Sequence, residues 1–272
     1  MIGAAIAEGR SGEGIRRAES LPEFIDDLLG GHGIGDLAQR AERFGFRLPG
    51  TQVVAAAWAP EPFVDGEAVA GQVQAGQCFR FGRRDVLVCT KDGLLVCLAP
   101  YHLAAVTDEF VRLLTETLGH DIPWRVGVGM AQSGPGGAVR SFEQARTAID
   151  TGERLDLPER VLYARDLLVY QVLRRDSAAL AELVTEVLEP LRVARIGPGA
   201  LLETLAAYFT AGGVATAAAR RLGVAVRTVT YRLQRVKELT GYGVDDPEQA
   251  FTLHVAVLGA RLIGWSGREG KT

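Results

Sequence analysis

The chain has 272 residues, 47% of them hydrophobic and 23% charged, with 30 Lys and Arg against 33 Asp and Glu for a formal net charge of −3. That length suggests about two domains at ~100–200 residues each, and the composition supports a core in both. A chain so near neutrality is not basic throughout, so any nucleic-acid surface is a local patch, and no apolar run reaches the ~18 residues of a membrane span.

The Gly- and Arg-rich beginning, up to about Ser20, reads as a loose arm. LPEFIDDLLGG follows as a short helix, with Pro22 in its first turn and Gly30–Gly31 as its stop. IGDLAQRAERFGF is a second amphipathic helix with Leu37, Ala41 and Phe44 along one stripe. The glycines of GGHGIG follow a helix, the reverse of a dinucleotide fingerprint, and read as a helix cap and connection. From Thr51 the period changes. TQVVAAAWA reads as a buried strand, and RDVLVCTKDGLLVCLAP as two strands around Lys91-Asp92-Gly93, where Asp-Gly is a hairpin signal. YHLAAVTDEFVRLLTETLG is helical, WRVGVGMA a strand, SFEQARTAIDTG a helix and RVLYA an edge strand. Strands with interspersed helices imply a sheet with helices packed against it.

After Asp166 no strand signal remains. DLLVYQVLRRDSAALAELVTEVLEPL is a helix pair broken near Asp176-Ser177, and RVARIGPG is the link to a terminal helical domain. There Asp246-Pro247-Glu248-Gln249 opens the last helix, with Asp246 as cap and Gln249 placed for a capping box. The expected class is α+β. Its parts are an N-terminal arm with short helices (1–50), an α/β sheet domain (51–165), a helical linker (166–198) and an all-α domain (199–272).

The segment RRLGVAVRTVTYRLQRVKELTG gathers positive charge: six basic residues and no acid lie between Ala215 and Lys237. It reads as helix, tight turn, helix. Ala215, Ala218, Ala219 and Leu222 share one side of the first helix, Thr216 is placed to cap it, and Gly223 supplies the turn. In the second helix Val229, Leu233 and Val236 recur at +4 and +3 as a core stripe. Opposite them stand Arg227, Thr230, Tyr231 and Gln234, flanked by Arg232 and Arg235. A helix-turn-helix places such a second helix in the major groove of double-stranded DNA, where arginine reads guanine and threonine meets a thymine methyl. Arg220 and Arg221, on the first helix, are placed for phosphates. The bland reading is a helical hairpin with a solvated basic face. The rival function is a ligand-sensing or protein-interaction module whose basic helix docks on an acidic partner.

Thr204-Leu205 with Tyr208-Phe209, Ala219 with Leu222, Thr228 with Tyr231-Arg232-Leu233, Leu239-Thr240-Gly241 and Asp245-Asp246-Pro247 together resemble the C-terminal domain of PucR/CdaR-type bacterial transcriptional regulators. Upstream, EFIDDLLGG, LAQRAERFGFRLPGTQVVAAAWA and VGVG with SFEQARTAID are similar to the degenerate, GGDEF-like diguanylate-cyclase domain that precedes it in that family. The resemblance implies a Fis-like helix-turn-helix, and with the helical reading above DNA contacts are expected from Thr216, Arg220, Arg221, Arg227, Thr228, Thr230, Tyr231, Arg232, Gln234 and Arg235. One departure is visible: Ala225-Val226-Arg227 stands where the family often has His-Arg-Asn. Response to a small-molecule effector is also implied, yet only about fifty residues precede the sheet domain. The middle domain is therefore expected to act as ligand pocket or dimerisation module, or the chain to be a shortened relative.

A cyclase needs acids at the central hairpin to hold two metal ions. Thr90-Lys91-Asp92-Gly93 offers one carboxylate beside a lysine, so no catalysis is expected. SGPGG lacks the Gly-Lys-Ser/Thr ending of a P-loop, and His32, His102, His120 and His254 show no metal-ligand spacing. His254 shares an apolar stripe with Phe251, Val255 and Leu258 and reads as a core or interface residue. No cofactor is expected. Cys78, Cys89 and Cys97 form no CxxC pair; their odd number and the lack of a signal-peptide pattern suggest a reducing cytoplasm. Because a single helix-turn-helix has a small footprint, a homodimer is expected, joined through the sheet domain or the helices of 166–193.

Overall fold

The computed structural model describes residues 20–48, 50–119, 121–134 and 136–265. The expected arm before Ser20, and His120, lie outside them.

Ser20 closes a capping box with Glu23 at the start of α1 (Leu21–Gly30), which stops at Gly31 in the left-handed region. A 3-10 turn, Ile34–Asp36, leads into α2 (Leu37–Arg43), so the second amphipathic helix is shorter than its sequence pattern. The chain then alternates between strands and helices: β1 (Thr51–Trp58), α3 (Ala68–Phe81), β2 (Leu87–Lys91), β3 (Leu94–Pro100), α4 (Ala105–Leu118), β4 (Arg125–Val128), β5 (Gln132–Ser133), α5 (Gly137–Arg154) and β6 (Val161–Tyr163). The sheet order is β2-β3-β1-β4-β6, with β5 paired to the start of β1. All pairings are antiparallel except β4 with β6. In the β2–β3 turn Asp92 and Gly93 have φ of 53° and 76°, the double left-handed geometry that an Asp-Gly pair supplies.

Alternation along β1 divides the core. Val54 and Ala56 face a cluster with α1, α2 and α5, while Ala55 and Ala57 face one with α3 and α4. The two leading helices, expected as a separate N-terminal part, thus share the sheet's core. The glycines of VGVG have a packing reason. A Cβ on Gly127 would lie 2.0 Å from the Ala145 carbonyl oxygen, and one on Gly129 would lie 2.0 Å from that of Ser141. With α5 this close, the Ser141 hydroxyl accepts a hydrogen bond from the Val54 amide at 2.9 Å.

Helix α3 escapes sequence reading because its apolar stripe is thin: Ala70, Val73 and Gln77 are its buried residues, and Phe79 points outward. It is held instead by contacts across to α4. Gly76 lets Leu113 approach so closely that an added Cβ would lie 2.7 Å away. The buried Gln77 amide donates to the Val106 carbonyl at 3.0 Å.

Beyond β6 a 3-10 turn, Ala164–Leu167, precedes α6 (Leu168–Arg175) and α7 (Ser177–Leu188). Asp176 caps α7 by accepting from the Ala179 amide. A further 3-10 turn, Glu189–Val193, precedes α8 (Pro198–Thr210), α9 (Ala215–Leu222), α10 (Val226–Thr240) and α11 (Pro247–Ile263). The stretch expected as linker is not uniform: α6 has no buried residue, whereas Val184, Val187, Leu188 and Leu191 enter the core of the terminal helices. At the start of α11 the Asp246 carboxylate accepts from the Gln249 amide at 2.9 Å. The expected capping box is not closed, because the Gln249 side chain accepts from the Gly243 amide instead.

Glu109 is 4% exposed on α4, between the guanidiniums of Arg112 and Arg80. The hydrogen bonds from Arg112, helped by those from Arg80, hold its carboxyl below the usual carboxylate range against the opposing effect of burial. Glu109→Gln should destabilise the protein by about 1–3 kcal/mol at neutral pH. A depressed carboxyl contributes stability above its unfolded value of roughly 4.3 and loses it as pH falls through the folded value. The gap between wild type and variant should therefore persist down to roughly pH 4.3 and close below it, as read by thermal unfolding from neutral pH into acid beyond that value.

Candidate nucleic-acid interface

The interface is built by what holds α9 and α10 in place. Ala218 and Ala219 are buried, and their short side chains let α9 lie close to its neighbours. Gly223 leaves α9 with φ 66°, and the Val224 amide donates back to the Ala219 carbonyl at 3.0 Å. Val224 itself packs on the core from the turn. In α10 the buried residues are Val229, Leu233 and Val236, the stripe read from spacing. Gly241, again left-handed, ends the helix.

With that stripe inward, Arg227, Thr230, Tyr231 and Gln234 are exposed, Tyr231 by 62%. Arg220 and Arg221 are exposed on the last turn of α9. Among the described residues, Arg220, Arg221 and Arg227 have no ion-pair partner. Arg221 lines a cavity between α8, α9 and α11. The basic ends of the two helices are therefore accessible and uncompensated.

Other members of the expected set sit differently. Thr216 does not cap α9: the cap position is Val214, extended and without a side-chain hydrogen bond. Gly212 and Gly213, with φ of 64° and 80°, turn the chain just before it and put Thr216 inside the first turn, exposed. Arg232 does not flank the outer face. It lies three residues after Val229 and four before Val236, so it borders the buried stripe, and its guanidinium reaches the Thr204 hydroxyl of α8 at 3.2 Å. Its Nε is buried without a partner among protein groups. Thr228, one turn earlier on that border, is half-buried. Arg235 pairs with Glu238 at 2.9 Å. At the far end of α10, Lys237 binds Asp245 at 2.9 Å, and this contact lowers the Asp245 pKa.

Two residues escaped the sequence reading. Thr204 anchors Arg232 while donating to the Ala200 carbonyl, a double role with no local signal. Val226, 42% exposed in the first turn of α10, adds an apolar group beside Arg227. Its spacing of three before Val229 continues the buried stripe, so its exposure in the first turn was not readable from sequence.

His254 stacks on Phe209 with ring centroids 4.5 Å apart and planes 16° from parallel, and burial lowers its pKa. It is half-buried against α8, whereas Phe251 of the stripe read from sequence is 71% exposed. At the β2–β3 turn the Asp92 carboxylate faces Arg146 at 3.5 Å and Lys91 at 3.9 Å, and Lys91 also binds Asp26 at 2.6 Å.

Family models match two parts of the chain, a GGDEF-like domain over residues 30–151 and a PucR C-terminal helix-turn-helix domain over residues 201–258. An uncharacterized protein of Mycobacterium tuberculosis is 42% identical over 103 residues, covering 38% of this chain and 24% of that protein. The carbohydrate diacid regulator of Escherichia coli is 30% identical over 136 residues, covering 49% of this chain and 35% of the regulator. The matches thus span about a quarter to a third of those relatives' lengths. Among solved structures, a regulator of polyketide synthase expression from Bifidobacterium adolescentis aligns with a TM-score of 0.44 at 23% identity, over 88% of this chain and 96% of that one. The chain thus carries a GGDEF-like domain followed by a PucR C-terminal helix-turn-helix domain, and over its matched part it is similar to the carbohydrate diacid regulator.

Proposed function

We propose that the chain is a sequence-specific DNA-binding transcriptional regulator. The observation that carries this reading is the outer side of α10, where Arg227, Thr230, Tyr231 and Gln234 are exposed beside the unpaired Arg220 and Arg221. In this reading α10 enters the major groove. Arg227 reads a guanine, Val226 and Thr230 meet thymine methyls, and Arg220 holds a phosphate. Thr216, exposed at the start of α9, adds a second backbone contact. The Escherichia coli relative is a regulator by name, which supports the same direction.

The sheet domain acts without catalysis in this proposal. Asp92, its hairpin carboxylate, stands between two cationic side chains, a poor setting for two further metal ions. Activity of the whole is that of a homodimer on paired half-sites in the cytoplasm, tuned by a small metabolite.

Selection of bound fragments from a random DNA pool is the central test. A reproducible half-site, repeated with fixed spacing, is the expected result; no enrichment over scrambled DNA at rising salt would favour docking on an acidic protein. Within an enriched site, Arg227→Ala should lose about 1–3 kcal/mol of discrimination at one base pair. Arg220→Ala should weaken all sequences alike and reduce the salt slope by about one. Arg232→Ala, by contrast, should leave base preference unchanged and lower the melting temperature, because its guanidinium is spent on Thr204. Equal shifts in base preference for all three would misplace the recognition face.

A further inference from the structure

A cleft of about 330 Å³, open to solvent where Glu203, Arg221 and Asp156 stand exposed, lies between α8, α9 and α11. Small-molecule sites span roughly 300–1,000 Å³, so this one suits a small ligand. Its space exists because the walls are short: Ala206 and Ala207 of α8 and Ala260 of α11 leave room where longer side chains would meet. Trp265 adds an aromatic wall.

Four charged side chains line the same cavity: Glu203 of α8, Arg221 of α9, Arg261 of α11, and Asp156 from the sheet domain. None of the four has an ion-pair partner among the described residues. Nearby the chain pairs its arginines readily, Arg154 and Arg174 both with Asp150. Two guanidiniums and two carboxylates around one apolar hollow, none neutralising another, complement a molecule that carries one charge of each sign.

Asp156 sharpens this. It follows α5 with φ 52°, the left-handed position where a helix ending favours glycine and where aspartate is one of the few other residues tolerated. Aspartate there sets a carboxylate at the cavity edge, on the one wall contributed by the other domain.

We propose that this cavity binds a small zwitterion with an apolar body, an α-amino acid with a large apolar side chain. Its carboxylate meets Arg221 and Arg261, its ammonium meets Asp156 and Glu203, and its side chain lies against the alanines and Trp265. The proposal deepens the metabolite response inferred above and rests on that reading only for its consequence at DNA. Arg221 cannot serve a ligand carboxylate and a phosphate together, so ligand and DNA oppose each other.

Calorimetric titration of the full chain with L-phenylalanine and L-tryptophan tests the site without DNA. One of them should saturate, while 3-phenylpropionate and phenethylamine, each lacking one charge, should bind at least about tenfold more weakly. Ala206→Leu fills the hollow with a good helix former and should abolish binding while circular dichroism and DNA affinity stay unchanged. Asp156→Gly should weaken binding about tenfold without lowering the melting temperature, which a merely structural aspartate would not do. Failure of both amino acids to saturate at millimolar concentration, or undiminished binding by Ala206→Leu, would overturn the assignment. DNA affinity unaffected by a bound amino acid would overturn the opposition at Arg221. A chain that binds no DNA at all would still report on the cavity, so the two failures separate.

Discussion

The seating of Val229, Leu233 and Val236 in the terminal core decides which side of α10 faces outward. Burial of such side chains contributes about 1.5–3 kcal/mol each, far more than any exposed ion pair on the same helix. A rotation of α10 that hid Arg227 would have to expose all three. The outward face of α10 is therefore a by-product of packing, and charge plays no part in choosing it. The same stripe explains why Arg232 is lost to that face, because a residue at the edge of a buried row is drawn into the crevice beside it.

The two domains are built on close approach, each by the smallest side chains available. In the sheet domain Gly127 and Gly129 bring α5 against β4, near enough for Ser141 to bond the β1 backbone. In the helical domain Ala218 and Ala219 do the equivalent for α9. Where small side chains pack on the core beside an opening, as Ala206 and Ala260 do, a cleft is left between the helices. That cavity touches α9, whose Arg221 is one of the uncompensated basic groups, and it reaches Asp156 at the end of α5. The helix that would hold phosphates and the end of the sheet domain's long helix thus share one small volume.

The central hairpin is fixed both by its turn geometry and by the ion pairs at its tip. Asp92 and Gly93 make the turn geometrically, since both need positive φ. The Asp92 carboxylate is engaged by Arg146 and Lys91, and Lys91 ties the turn to α1 through Asp26. In this arrangement the hairpin tip is a structural clasp between the sheet and the leading helix.

Much of this was legible in the residues themselves. The β2–β3 turn was readable because Asp-Gly has one low-strain geometry there, and the α10 stripe because helical periodicity survives any tertiary context. The exposed positions of Arg227, Thr230, Tyr231 and Gln234 follow directly from that stripe. Helix α3 was not readable, because its stability comes from Gly76 and Gln77 meeting α4, contacts with no local periodicity. Nor was the membership of Val184 to Leu191 in the terminal core, since an amphipathic helix does not say which domain covers its face. The Thr204 partner of Arg232 and the cavity beside Arg221 were decided only by tertiary structure. Each depends on how far apart two helices come to rest, and local sequence encodes the faces of helices but not the distances between them.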